Sequence, residues 1–145
     1  MKKDLIPNDV KDIIVAVVKE LSTDKEMVWN VYLINKKPVQ IEGVLVSSNG
    51  YGIKKATPEA KLDGAEDEKI NTSMLRHFLD EVEANSFKKI EMITEEVFGI
   101  FNQYWVSFYE DKKMSDKKFI FPAESISEVN FTMIPVINLK GVMIE

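Results

Sequence analysis

Thr72-Ser73-Met74-Leu75-Arg76-His77-Phe78-Leu79-Asp80-Glu81-Val82 reads two ways, and the choice decides the fold. Leu75, Phe78, Leu79 and Val82 stand at i, i+3, i+4 and i+7, the stripe of an amphipathic helix, and Ser73 is placed to cap it. A helix over about 73–83 makes the chain α+β. The flanks argue for a strand. Glu83-Ala84-Asn85-Ser86 reads as a short connection, and residues 87–93 follow it as a strand with Ile90 and Met92 on one face.

Working upstream, Ile13-Ile14-Val15-Ala16-Val17-Val18 is short and dense in β-branched residues, which favours a buried strand over a helix. Residues 27–34 alternate, with Met27, Trp29, Val31 and Leu33 on one face and Val28, Asn30, Tyr32 and Ile34 on the other. Both faces are largely apolar, as in a central strand. Asn35-Lys36-Lys37-Pro38 breaks the pattern as a turn, and residues 39–46 resume it with Gly43 as a bulge, so the two runs read as a hairpin.

Residues 49–71 lose their periodicity. They begin at Asn49-Gly50-Tyr51-Gly52, read as a turn, and carry Pro58, Gly64 and Glu66-Asp67-Glu68. This is a long acidic loop within one domain, 1–145, and a connection of that length is functional or mobile.

Downstream, residues 94–98 suit one helical turn. Tyr104-Trp105-Val106-Ser107-Phe108-Tyr109 is the most aromatic segment of the chain. Glu110-Asp111-Lys112-Lys113 turns it, residues 117–121 return, and Pro122 stops the second hairpin. A last short strand falls near Val142-Met143-Ile144. The expected fold is mainly β: an antiparallel sandwich-like domain of about seven or eight strands with at most one or two short helices.

Composition narrows the function. With 145 residues, 45% apolar and 30% charged, the chain can bury its own core. The net charge of −5 disfavours nucleic acid and anionic membrane as partners. There is no cysteine, so disulfides, thiol nucleophiles and Cys-ligated metals are excluded. The first residues, Met1-Lys2-Lys3-Asp4-Leu5-Ile6-Pro7, lack the apolar run of a signal peptide, and the longest apolar run is far too short to span a bilayer. A cytoplasmic protein is expected.

Chemistry-bearing motifs are sparse. His77 is the one histidine and Arg76 the one arginine. They suit proton transfer and anion contact respectively, but in a strand they point to opposite faces. A lone histidine cannot build a His-cluster metal site, and Asp63-Gly64-Ala65-Glu66-Asp67-Glu68 does not match a calcium loop, so no metal or cofactor is expected. There is no G-x-S-x-G, and Asn49-Gly50-Tyr51-Gly52 lacks the length and lysine of a phosphate loop.

The aromatic strand is the unusual feature. If Tyr104, Val106 and Phe108 meet the core, the other face shows Trp105 and Tyr109, unless a second layer or the stems of Lys117 or Lys118 cover them. The expected function is a binding or assembly module that self-associates, or binds a protein partner, through this face or an unpaired edge strand. The alternative is a small-molecule site or enzyme. Its pocket would lie near Arg76 and His77, with an acid such as Glu95, under the segment from Tyr51 to residue 71.

Overall fold

The apolar run at 13–18 forms most of β1 (Ile13–Leu21). β-Branched side chains pack well on a pleated surface, and here both faces of the strand are covered. The computed structural model describes residues 10–145, and the reading of residues 1–9 lies outside them. β1 is the middle strand of a five-stranded antiparallel sheet ordered β6-β2-β1-β10-β9. Its members are β2 (Met27–Asn35), β6 (Ser86–Ile93), β9 (Thr132–Ile134) and β10 (Leu139–Ile144). The second sheet is ordered β4-β3-β7-β8, with β5 also paired to β3. It comprises β3 (Ile41–Lys54), β4 (Glu68–Asn71), β5 (Leu75–Val82), β7 (Phe101–Glu110) and β8 (Lys113–Phe121).

The two inner faces enclose one core. Ile13, Val15, Val17, Trp29, Val31 and Leu33 from the first sheet meet Val44, Val46, Tyr104, Val106, Phe108 and Phe119 from the second. The chain is therefore mainly β and sandwich-like, as its spacing implied, with ten strands among the described residues rather than seven or eight. The extra strands are brief: β4 has four residues and β9 three. Within residues 72–82, Leu75–Val82 is strand and no part is helix.

Three sequence expectations are corrected. The first concerns residues 27–46, which do not form a hairpin. β2 pairs with β1 and β6, while β3 pairs with β4, β5 and β7, so the chain changes sheet at 35–40. Asn35 organises that corner from a fully buried position. Its Nδ2 donates to the carbonyls of Val39 (2.9 Å), Glu83 (3.0 Å) and Val82 (3.2 Å), and its Oδ1 accepts from the Lys37 amide at 3.0 Å. One side chain thus ties together the two crossings, β2 to β3 and β5 to β6.

The second correction concerns the long loop. Asn49-Gly50-Tyr51-Gly52 is not a turn but the continuation of β3, paired with β7 on one side and, from Tyr51, with β4 on the other. Gly50 faces inward, and a Cβ there would lie 2.8 Å from Ile100 Cδ1. Close packing explains this glycine, not a reversal of the chain. The remainder, 55–67, holds a single helical turn, α1 (Pro58–Leu62), whose first turn is capped by Thr57 Oγ1 accepting from the Ala60 amide. Asp67 closes the excursion by accepting from the Ala56 amide at 2.9 Å, so part of the acidic run is structural.

The third concerns β6. Val31 pairs with Glu91 and Tyr32 with Lys89, which leaves Ile90 as an extra residue in a bulge. The bulge turns both Ile90 and Glu91 toward the inner space, and Met92 lies on the opposite face from Ile90. The bulge expected at Gly43 is present: the register of β3 shifts there against β5 and β7, and Gly43 has a φ of 55°.

Candidate functional site

The fold leaves the outer faces of its two sheets in different states. On the first sheet, Ile14, Ala16, Val18, Ile34 and Ile134 form a buried outer cluster packed by Tyr32, Val136, Ile137 and Met143, while Phe87 and Met92 on the edge strand β6 stay exposed. Among the described residues, no such packing lies over the centre of the second sheet. Register places Phe78 beside Leu45 and Ser107, and Arg76 beside Ser47, Trp105 and Lys118. Trp105 is 41% exposed, Tyr109 45%, Met114 61% and Phe78 67%. Tyr51 stacks on Phe101 at 5.4 Å at one end of this face, and Met114 lies opposite Tyr109 at the other.

Alternation along β7 produces the arrangement. Tyr104, Val106 and Phe108 enter the core, which sends Trp105, Ser107 and Tyr109 outward. Two contacts hold the anchors in place. Trp105 Nε1 donates to Asp116 Oδ2 at 2.9 Å, and Lys118 Nζ sits 4.6 Å from the centre of the indole ring. Lys118 therefore does cross the ring, the alternative the sequence left open, yet much of the indole stays exposed. Tyr109 lies over Gly43, where a Cβ would come within 3.1 Å of the phenol ring. The glycine of the bulge thus makes room for an aromatic on the outer face.

The second feature is a cleft of about 340 Å³ at the seam where β6 of the first sheet passes β3, β5 and β7 of the second. Glu91 stands in it. Its Oε1 accepts from Ser48 Oγ at 3.2 Å and lies 3.0 Å from His77 Nε2, and its Oε2 accepts from the Tyr104 hydroxyl at 2.8 Å. One carboxylate from the first sheet thus gathers three partners from the second. Tyr104 is 1% exposed, and its ring meets Phe121 edge to face at 6.1 Å.

The predicted site residues separate into these two places. Trp105, Tyr109 and Tyr51 share the outer face with Arg76, which is exposed there. His77 points the other way, toward Glu91. Glu95 does not join it and lines a different depression with Lys19 and Trp29. The expected gathering of Arg76, His77 and Glu95 under 51–71 is therefore not formed. Glu91 was not foreseen, because only the bulge at Ile90 turns it inward, and no residue in that stretch announces a bulge. Among the described residues no three of His, Cys, Asp and Glu stand close enough to hold a metal ion, and no helix is long and apolar enough to cross a membrane.

Burial, together with the Glu91 carboxylate, pushes the Tyr104 phenol far above its ordinary range. Burial and a hydrogen bond to Glu20 push Tyr32 up to about 12. A phenol whose folded pKa exceeds its unfolded value of about 10 stabilises the fold fully below that pH, and the contribution is lost as pH rises through the folded pKa. Stability is thus expected to fall above about pH 10. Tyr104 should ionise only with unfolding, so part of the tyrosinate absorbance should appear together with loss of near-ultraviolet circular dichroism. A complete tyrosine titration with the dichroism unchanged would contradict the burial of Tyr104.

Fold and site together define an antiparallel two-sheet β-sandwich with one uncovered aromatic face and a carboxylate cleft at its seam. No protein-family model matches the chain, and no curated protein or solved structure matches it significantly.

Proposed function

We propose that this protein is an assembly module that pairs with a second copy of itself through the outer face of the sheet containing β3, β5, β7 and β8. The observation that carries the reading is the contrast between the two sheets: the centre of the first sheet's outer face is packed by Tyr32, Val136, Ile137 and Met143, with Phe87 and Met92 open along its edge strand β6, whereas on the second Phe78, Trp105, Tyr109 and Met114 lie open across β5, β7 and β8. Trp and Tyr held by neighbours are the residue types that dominate association energy.

Three further features favour a face-on pairing of like with like. The edges of the sandwich are poor templates for strand addition. β8 carries Lys113, Asp116, Lys117 and Lys118, β6 carries Lys88 and Lys89 beside its bulge, β5 carries Arg76, Asp80 and Glu81 and is interrupted at Asp80, and β4 and β9 are very short. The face has both signs of charge, Arg76 and Lys118 with Asp116, so a two-fold arrangement need not set like charge against like. Its size is also adequate: four strands about 4.8 Å apart and about nine residues long present roughly 600 Å² of flat sheet, close to the ~800 Å² each partner gives to a standard interface.

Light scattering across a range of protein concentrations tests the reading. The mass is expected to rise from one chain to two and then level off. A strict monomer at every concentration would remove the basis for it.

A further inference from the structure

The cleft at the seam has features the aromatic face does not explain, and it lies on the opposite side of the second sheet from that face. Among the described residues lining it, Glu91 alone carries a charge. The other walls include hydroxyls (Ser48, Thr72, Ser73, Thr94), the carboxamides of Asn49 and Asn102, and apolar side chains such as Leu75, Ile93 and Val97. We infer that this cleft is a binding site for a small organic cation, a primary ammonium group on a short apolar body.

The chemistry follows from the partners of Glu91. A carboxylate has about four lone-pair positions. Three are engaged, by Ser48, His77 and Tyr104. Ser48 and Tyr104 are neutral donors that hold the carboxylate in place without neutralising it. An ammonium group supplies both the missing charge and a hydrogen for the remaining position, in a charge-assisted bond.

The rest of the cleft sets size and sign. At about 340 Å³ it suits a small ligand. Leu75, Ile93 and Val97 offer an apolar wall for the body of the molecule. No lysine or arginine is among the described lining residues to receive an anion. The base of the site is rigid, because Thr72 is pinned to β3: the Gly50 amide donates to Thr72 Oγ1 at 2.7 Å, and the Thr72 amide donates to the Gly50 carbonyl at 2.8 Å. A preformed site of this kind loses little entropy in ordering itself around a ligand.

The test uses the isotope-labelled full chain and three probes of one shape: propylammonium, propan-1-ol and propionate. Amide resonances of Thr72, Ser73, Leu75 and Ile93 are expected to shift saturably with propylammonium, and to shift weakly or not at all with the other two. Glu91→Gln keeps the size of the side chain and an oxygen for Tyr104, and should weaken propylammonium binding by about tenfold or more. Should that variant fold poorly, Ser73→Phe, at an exposed rim position away from the Glu91 hydrogen bonds, fills the mouth and should abolish the shifts. Absence of saturable shifts would overturn the inference. So would equal binding of propionate or propan-1-ol, undiminished binding by a folded Glu91→Gln protein, or undiminished binding by Ser73→Phe. None of these outcomes bears on self-association through the opposite face.

Discussion

Tyr104→Ala is expected to lower the free energy of unfolding by about 3–5 kcal/mol, the range for deleting a large aromatic side chain from a packed core. Tyr104 is among the largest fully buried side chains, packed between the sheets and set edge-on to Phe121. Its removal leaves a cavity between two sheets that cannot collapse without shifting the register of β3 and β7. It also takes one donor from the Glu91 carboxylate. Tyr104→Phe separates the two effects. The ring stays and the hydroxyl goes, so the loss should be about 1.5–3 kcal/mol, the cost of one hydrogen bond to a charged acceptor. Chemical denaturation of both variants, with unchanged slope against denaturant, checks the pair. Equal losses would mean that the hydroxyl, not the packing of the ring, dominates at this position.

The second large effect is expected at Asn35. Asn35→Ala should cost about 3 kcal/mol, because each buried polar group left without a partner costs about 1–3 kcal/mol. The carbonyls of Val39, Val82 and Glu83 and the amide of Lys37 all depend on this one side chain. For a domain of this size that corresponds to a fall of about 6–12 °C in Tm. Asn35→Asp should be no better. It keeps an oxygen for the Lys37 amide but replaces the donor with a second oxygen facing three carbonyls. Scanning calorimetry of the two variants reads the result directly. A change in Tm within about 2 °C for Asn35→Ala would contradict the role given to this corner.

These two residues also mark what the sequence could and could not disclose. The β7–β8 hairpin was legible because alternation, aromatic content and the turn at 111–112 all agree. Residues 72–82 looked helical for a local reason. Leu79 and Val82 both meet the core, three residues apart, because Asp80 adopts a φ of 65° and interrupts the strand register. Leu75 and Phe78, which completed the helical stripe, are exposed on opposite faces.

The crossing at 35–40 was not legible. Asn-Lys-Lys-Pro breaks a strand whether the chain folds back within a sheet or passes to the next one. Only burial of Asn35 distinguishes the two. The continuation of β3 through 49–52 was hidden by Gly50, where tight packing against Ile100 and a turn call for the same residue. Among the site residues, Trp105 and Tyr109 followed from simple alternation. Glu91 depended on a bulge, and its pairing with His77, Ser48 and Tyr104 is a product of four strands from two sheets.

The open aromatic face is the centre of the functional reading, and sedimentation equilibrium on three proteins tests it most directly. The first is the native chain. The second carries Phe78→Ser and Trp105→Ser, both on the face. The third carries Leu62→Ser and Val129→Ser, the two most exposed large apolar residues among those described, each 88% accessible and outside the strands of the face. Truncating an interface anchor of this kind costs about 2 kcal/mol or more. The native chain and the Leu62/Val129 variant are therefore expected to show the same monomer–dimer equilibrium. The Phe78/Trp105 variant is expected to remain a monomer over the same concentrations. A native chain that stays monomeric throughout, or a Phe78/Trp105 variant that dimerises as tightly as the native chain, would contradict assembly through this face.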